Sequence, residues 1–163
     1  MISAILASTS VGGIGNRGTL PWPTHKEDMD WFRQHTLGNI IVMGRTTWDD
    51  PKCPNPFPDR INVVATNRPL LDPLSARRIT GDIAEEVMSI QNTFNNKDVF
   101  IIGGKDIFEQ CQNIVQRVYL TRMKGNWFAD TKLNLEQWLA TFQIKKVKPG
   151  TECTYEIWDR VLF

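Results

Sequence analysis

Cysteine is scarce in this 163-residue chain: Cys53, Cys111 and Cys153 lie far apart, and no Cys-x-x-Cys pair occurs. An odd, scattered set excludes a disulfide framework and a zinc ribbon, and reads as reduced thiols in a cytosolic protein. Histidine is rarer still. His25 and His35 share no metal spacing with each other or with a cysteine, so both are read as surface residues and no metal site is expected. An excess of one charge is also missing. The formal net charge is +1 and no basic run appears, which argues against nucleic acid as the main partner, because phosphate contacts need clustered Lys and Arg. No window approaches the ~20 apolar residues of a membrane span, and the opening MISAILAST turns polar too soon for a signal peptide. Repeats, linkers and low-complexity segments are absent as well. The expectation is a soluble, cytoplasmic protein forming one domain over residues 1–163, a length that buries about two-thirds of the unfolded surface. Its 41% hydrophobic and 23% charged residues fit a globular chain rather than disorder or a coiled coil.

What the chain does have is a series of apolar, β-branched runs at 2–8, 39–44, 61–66, 98–104 and 117–123. Continuous runs of this length, without strict alternation, suggest strands covered on both faces. Helical patterns fall between them at 26–36, 82–93 and 104–112. That alternation predicts an α/β fold with a mostly parallel central sheet flanked by helices. The tail differs: 142–148 and the alternating 154–163 have no helix between them, and PGT at 149–151 reads as a turn. An antiparallel C-terminal hairpin on the sheet edge follows. The proline cluster at 50–60 is too stiff for a helix or central strand and is expected to be an ordered surface loop. The six tryptophans are assigned mostly to the core.

Chemistry concentrates first in GTLPWPTHKEDMDWF, residues 18–32. Helical spacing puts Asp28 inside an apolar stripe made by Met29, Trp31 and Phe32, with Glu27 at its margin and Asp30 pointing away. Asp28 could cap the helix, since acids suit the first turn, but Thr24 and Glu27 have the spacing of a capping box and could do that instead. A carboxylate turned inward would have a raised pKa, suited to holding an amidine-like ligand or to supplying a proton. Spacing leaves the two readings open. GIGNRG at 13–18 matches a dinucleotide fingerprint, yet Pro21 and Pro23 follow where that motif needs a helix, so it reads as a flexible, lid-like loop. Stronger glycine signals are FIIGGKDIF at 100–108 and VMGRTTW at 42–48, where a buried strand runs into a helix through Gly103-Gly104 or Gly44. Paired strand-to-helix junctions make a plausible bed for a pyrophosphate. Arg60, after PFPD, is either a solvated arginine or a carboxylate receptor.

Taken together, these residues resemble the dihydrofolate reductase family. The match runs through MISAILA, LPW (20–22), EDMDWF (27–32), TLGNIIVMGRTTW (36–48), FPDRINVVATNR (57–68), VFIIGGKDIFEQ (99–110), VYLTRM (118–123) and ADT (129–131), in order over nearly the whole chain. The resemblance implies NADPH-dependent reduction of 7,8-dihydrofolate to tetrahydrofolate, in support of one-carbon metabolism. Hydride would reach C6 while N5 is protonated. It also implies binding of antifolate-type ligands, a monomer, and no membrane or nucleic-acid partner. Asp28 would bind the pteridine N3 and 2-amino group and promote protonation at N5. Thr121 would bond Asp28 and the 2-amino group through water, Trp22 would order that water, and Leu20 would close over the nicotinamide. Ile5, Met29, Phe32, Phe57 and Ile102 would contact substrate, and Arg60 its α-carboxylate. For the cofactor, the resemblance implies Ala7, Ile14, Gly44, Arg45, Thr46, Thr47, Thr66, Asn67 and Arg68, then Gly103, Gly104, Lys105, Asp106, Ile107 and Phe108.

The chain departs from the family pattern in two places. Lys105-Asp106 follows the paired glycines where many relatives have a third glycine and often an arginine; an aspartate there would repel a 2′-phosphate, which predicts a weakened preference for NADPH over NADH. Pro51 and the lengthened CPNPFP lie at the rim of the expected substrate channel. Two other readings are a reductase of another heterocycle, such as a pyrimidine intermediate, and a non-catalytic subunit on the same scaffold. Asp28, Phe32 and Arg60 together favour the folate over the first, and the intact acid and glycine junction disfavour the second.

Overall fold

The computed structural model describes residues 1–161. In chain order the elements are β1 (Ile2–Ser8), β2 (Gly13–Gly15), α1 (Lys26–Thr36), β3 (Ile40–Gly44), α2 (Arg45–Asp49), β4 (Ile61–Ala65), β5 (Arg77–Ile79) and α3 (Ile83–Thr93). There follow β6 (Val99–Gly103), α4 (Lys105–Cys111), a 3₁₀ turn (Gln112–Ile114), β7 (Arg117–Met123), β8 (Thr131–Lys132), α5 (Leu135–Trp138), β9 (Phe142–Gly150) and β10 (Cys153–Arg160). Eight strands form one sheet in the order β5-β4-β3-β6-β1-β7-β10-β9. The first six run parallel, and β10 enters antiparallel between β7 and β9. The expected α/β architecture is therefore observed.

Strand alternation divides the core in two. Ile40 and Val42 face one side, together with Ile2, Ala4, Val99, Ile101, Val118 and Leu120, where α3 and α4 deliver Ile83, Val87, Ile90, Ile107 and Phe108. Ile41 and Met43 face the other, with Ile5, Val64 and Phe100, where α1 lays down Trp31 and Phe32. Residues at i and i+2 of a strand share a face, so each run must be apolar throughout to satisfy both layers. Among the described residues no helix is long and apolar enough to cross a membrane.

Several expectations are corrected. The turn of the C-terminal hairpin lies at Thr151-Glu152, because β9 extends through Pro149 and Gly150, which pair with Thr154 and Cys153. Pro149 is tolerated there because β9 is an edge strand, where a missing N–H need not break a ladder. β10 ends at Arg160, and the last two residues of the predicted 154–163 strand lie outside the described residues. The Thr24–Glu27 capping box does not form: His25 is the N-cap of α1, and its Nδ1 accepts from the Asp28 amide at 3.1 Å. His35 is no plain surface residue, since its ring packs on Trp31 and Tyr119 at 4.3 and 4.5 Å. Of the tryptophans only Trp22 and Trp138 are fully buried, while Trp127 is exposed. The short β2, β5, β8 and α5 have too few residues for a periodic signal, and none is anticipated above.

Leu120 lies in the middle of β7, completely buried and flanked by β1 and β10. Leu120→Ala should cost roughly 2–5 kcal/mol, read as a lower urea midpoint with an unchanged slope.

Candidate active site

The parallel strands β4, β3, β6, β1 and β7 all point their C-terminal ends to one edge of the sheet, and the predicted site residues collect along it. In open α/β sheets this is the edge where loops diverge and ligands fit. Ala7 at the end of β1 pairs with Thr121 on β7, and Thr121 pairs in turn with Tyr155 on β10.

Asp28 stands over this point. The Thr121 hydroxyl donates to Asp28 Oδ1 at 2.7 Å, a bond between residues 93 positions apart. Burial pushes the Asp28 carboxyl up from the ordinary carboxylate range, and the Thr121 bond only partly offsets it. The inward-facing reading of the acid is correct. The bond to Thr121 is direct. Trp22 is 3% exposed and sits with Met123, Cys153 and Tyr155 under Ala7 and Trp31.

From Asp28 the inner face of α1 continues to Phe32, whose ring meets Phe57 at 5.6 Å. Arg60 closes this end. Its guanidinium lies 5.2 Å over the Phe57 ring, Nη1 donates to the Thr36 hydroxyl at 3.1 Å, and Nε donates to the Pro58 carbonyl at 2.9 Å. Burial, and then the nearby Arg33, lower the Arg60 pKa from its usual value. Two of its five N–H donors are thus engaged within the chain, and a planar fork remains for an anion. Ile5 and Ile102 belong to the aromatic layer beneath. Met29 and Leu20 are 54% and 47% exposed, so they stand at the rim rather than in the wall.

The other half is built by two adjacent junctions. β3 passes through Gly44 into α2 and β6 passes through Gly104 into α4; Gly44 and Gly104 are the two N-caps, and neither helix start has a side-chain cap. The first N–H groups of each helix therefore point outward with no partner from a cap. The Gly103-Gly104 peptide is cis, and Gly103 has φ 115°. A Cβ on Gly103 would meet the Phe108 ring at 3.0 Å, and one on Gly44 would meet Ile107 at 3.0 Å, whereas one on Gly104 would meet nothing within 4 Å. Glycine at 44 and 103 lets the core pack close beneath, and at 104 it leaves the cleft open. Ile107 and Phe108 pack their side chains into the core, and the Phe108 amide donates to the Gly104 carbonyl.

Arg45 Nε donates to both Asp49 oxygens at 3.2 and 3.1 Å, and its Nη1 donates to the Arg68 and Pro69 carbonyls. Arg68 lies 3.8 Å from Asp49, so one acid holds two cations at the cleft edge. Thr66, Asn67 and Ile107 line a cavity of about 340 Å³ with Thr80, Gly81 and Gln110. Lys105 and Asp106 are exposed on the first turn of α4, with Lys105 4.0 Å from Glu109. Thr46 and Thr47 lie on α2, and Thr46 reaches within 3.7 Å of a Cβ position on Gly18 in the loop opposite. That loop is held in place: β2 pairs with β8, the Arg17 amide donates to Asp130 Oδ2 at 2.9 Å, and the Asp130 amide donates to the Gly15 carbonyl. The Arg17 amide bond holds the Asp130 carboxyl below its usual range. Ile14, on β2, packs against the main core.

Sequence reasoning did not single out Tyr155, Asp130 or Arg78. Arg78 Nη1 donates to the Asn67 carbonyl, and Arg77-Arg78 in "SARRIT" was the available signal. A larger cavity of about 600 Å³, walled by Val11, Arg122, Lys132, Leu135 and Trp158, contains none of the predicted site residues. We assign the site to the strand-end cleft instead, because the buried acid, the arginine fork and the two uncapped helix starts converge there.

The family model described as "Dihydrofolate reductase" matches residues 1–160. The chain is 32% identical to the dihydrofolate reductase of Haemophilus influenzae over 143 residues, which is 86% of this chain and 84% of that protein. It is 35% identical over 146 residues to the bifunctional dihydrofolate reductase-thymidylate synthase of Paramecium tetraurelia, covering 88% of this chain but only 30% of that longer protein. Among solved structures, dihydrofolate reductase from Enterococcus faecalis complexed with NADP(H) and RAB-propyl superposes with a TM-score of 0.84 at 24% identity, over 98% of this chain and 96% of that one. That likeness shows the fold.

Because burial raises the Asp28 pKa, the folded chain keeps this proton to a higher pH than the unfolded chain does. The associated stability is present at acid pH and is lost as pH rises through the folded pKa. Asp28→Asn, which carries no charge, should melt above the parent at neutral pH. The gap should close below about pH 4, as both states of the parent become protonated; thermal scans across pH check this.

Proposed function

On the premise that this chain belongs to the dihydrofolate reductase family, we propose how its residues carry that family's reaction. The chain reduces 7,8-dihydrofolate to tetrahydrofolate with NADPH. The observation that carries the assignment of roles is the Asp28 carboxylate, held by Thr121 within a cleft whose far end is Arg60.

Asp28 accepts hydrogen bonds from the two adjacent nitrogens of the pteridine edge, N3 and the 2-amino group, which match a carboxylate in spacing and polarity. With its pKa raised by burial, the same group favours a protonated pteridine and so promotes proton delivery to N5. Trp22 orders the water that serves this proton. Phe32 and Phe57 hold the aminobenzoyl ring between them, Met29 covers it from the rim, and Arg60 binds the α-carboxylate with its remaining N–H groups.

The residues at the other half fit a dinucleotide diphosphate. Two uncapped helix starts supply N–H donors, Gly104 leaves the approach open, and Arg45 and Arg68 supply positive charge. When bound, NADPH supplies the hydride that C6 receives. Leu20 on the rim is positioned to cover the nicotinamide end, and the loop from β2 to α1 excludes water. Three free thiols support a cytoplasmic protein; we take it as a monomer of one domain, able to bind antifolate-type ligands in the same cleft.

Following NADPH oxidation with dihydrofolate tests the activity directly; no turnover would refute it. Asp28→Asn should lower the hydride-transfer rate by roughly 10²–10⁴-fold at neutral pH, with partial recovery at low pH where substrate is already protonated. Arg60→Gln should raise KM for dihydrofolate by roughly 10–100-fold through loss of a charged hydrogen-bond pair, with kcat nearly unchanged. Asp106, exposed where a 2′-phosphate would approach, should leave kcat/KM higher with NADPH than with NADH but by a narrowed margin; an NADH advantage would overturn the cofactor assignment.

A further inference from the structure

The first turn of α1 is bolted to the β9–β10 turn through a set of contacts that the reaction itself does not use. Glu27 accepts from the Thr151 amide at 3.1 Å and from the Tyr155 hydroxyl at 2.9 Å. His25 Nε2 bonds the Thr151 carbonyl at 2.7 Å, while its Nδ1 accepts from the Asp28 amide. Both halves of one turn residue, Thr151, are therefore read by side chains two residues apart on the helix. Gly150 makes room for this arrangement: a Cβ there would lie 2.5 Å from both Glu27 Oε1 and the Tyr155 ring.

The register explains why this matters. Tyr155 and Thr121 are cross-strand partners on β10 and β7. Glu27 is bonded to Tyr155 and Asp28 to Thr121, so two consecutive acids of α1 dock on one cross-strand pair. Rotating or lifting the helix start would break both bonds together. Tyr155 is further fixed by its ring, which packs on Trp31 at 4.5 Å.

We propose that Glu27, His25, Thr151 and Tyr155 form a positioning latch for Asp28, holding the start of α1 so that the carboxylate stays aimed at Thr121 and the cleft. This rests on the reading of Asp28 as the proton-promoting group. None of the four touches the reacting atoms. The charged or titratable groups around Asp28 are His25 and Glu27 on α1 and Cys153 and Tyr155 on β10, with Lys124 near Cys153. Hydrogen bonds from Thr151 and Tyr155 hold the Glu27 carboxyl below its usual range, so it is ionised, and burial raises Tyr155, so it remains a donor. Within the latch His25 lowers the Asp28 carboxyl and Glu27 raises it, and burial outweighs both.

The test uses the whole chain with ¹³C-labelled aspartate carboxyls, titrated by NMR without ligand, together with single-turnover hydride transfer. Tyr155→Phe keeps the ring and removes the hydroxyl. Its hydride-transfer rate should fall roughly threefold to tenfold, the worth of one hydrogen bond, with KM for NADPH unchanged, and the Asp28 midpoint should move down. Glu27→Gln keeps the shape and removes the charge, and should lower the same midpoint. It carries the test if Tyr155→Phe does not fold. An Asp28 midpoint equal to the parent's in both variants overturns the latch, even if melting temperatures fall. A parent chain that fails to reduce dihydrofolate would defeat the functional reading instead, and the titration would still judge the latch.

Discussion

A carboxylate in a cleft lined by Phe32, Phe57 and Ile5 is stable only if something answers it, and here one hydroxyl does. The Thr121–Asp28 bond joins α1 to the strand that lies between β1 and β10, the place where the parallel part of the sheet gives way to the antiparallel part. It leaves the second carboxylate oxygen for a ligand. Because burial, rather than another charge, sets the proton affinity of Asp28, the acid remains responsive to what enters the cleft: an amidine-like edge would replace missing water with matched donors. The remainder of the site is organised around keeping that group in place and bringing a hydride source beside it.

The two halves of the cleft are made by different physics. On the substrate side, side chains do the work, and aromatic rings with one arginine fork set length and polarity. On the other side, backbone does it. Gly44 and Gly103 have Ile107 and Phe108 close beneath them, which fastens two helix starts next to each other at the ends of hydrogen-bonded strands. Two neighbouring helix N-termini give a field that favours negative charge, while Asp49 holds Arg45 and Arg68 nearby.

Long elements were readable from the sequence because their pattern has many residues to speak with. β1, β7 and α1 fall at 2–8, 117–123 and 26–36 as expected from apolar runs and helical spacing. The inward turn of Asp28 was also readable, since an acid among Met29, Trp31 and Phe32 breaks a stripe. What local pattern cannot carry is contact across the chain. Thr24 and Glu27 have capping-box spacing, yet Glu27 is claimed by Tyr155 and Thr151, more than a hundred residues away, and His25 takes the cap. His35 reads as a surface residue until Tyr119 arrives beside it. Ile107 and Phe108 follow a glycine pair, and only the fold shows that their side chains pack into the core, with the Phe108 ring beneath Gly103. β2 and β8 are too short for periodicity and exist because they pair with each other.

Among the described residues the outer strand β9 has one flank without a partner in the sheet, the kind of border to which another chain adds. It carries Lys145, Lys146 and Lys148, all exposed, and near its end Pro149, which has no amide hydrogen to offer. Two copies meeting edge to edge would bring these ammonium groups into register and lose a rung at each proline. The exposed Ile144 and Val147 are thereby shielded from productive pairing. Like charges and a missing amide along this border disfavour growth of the sheet beyond β9.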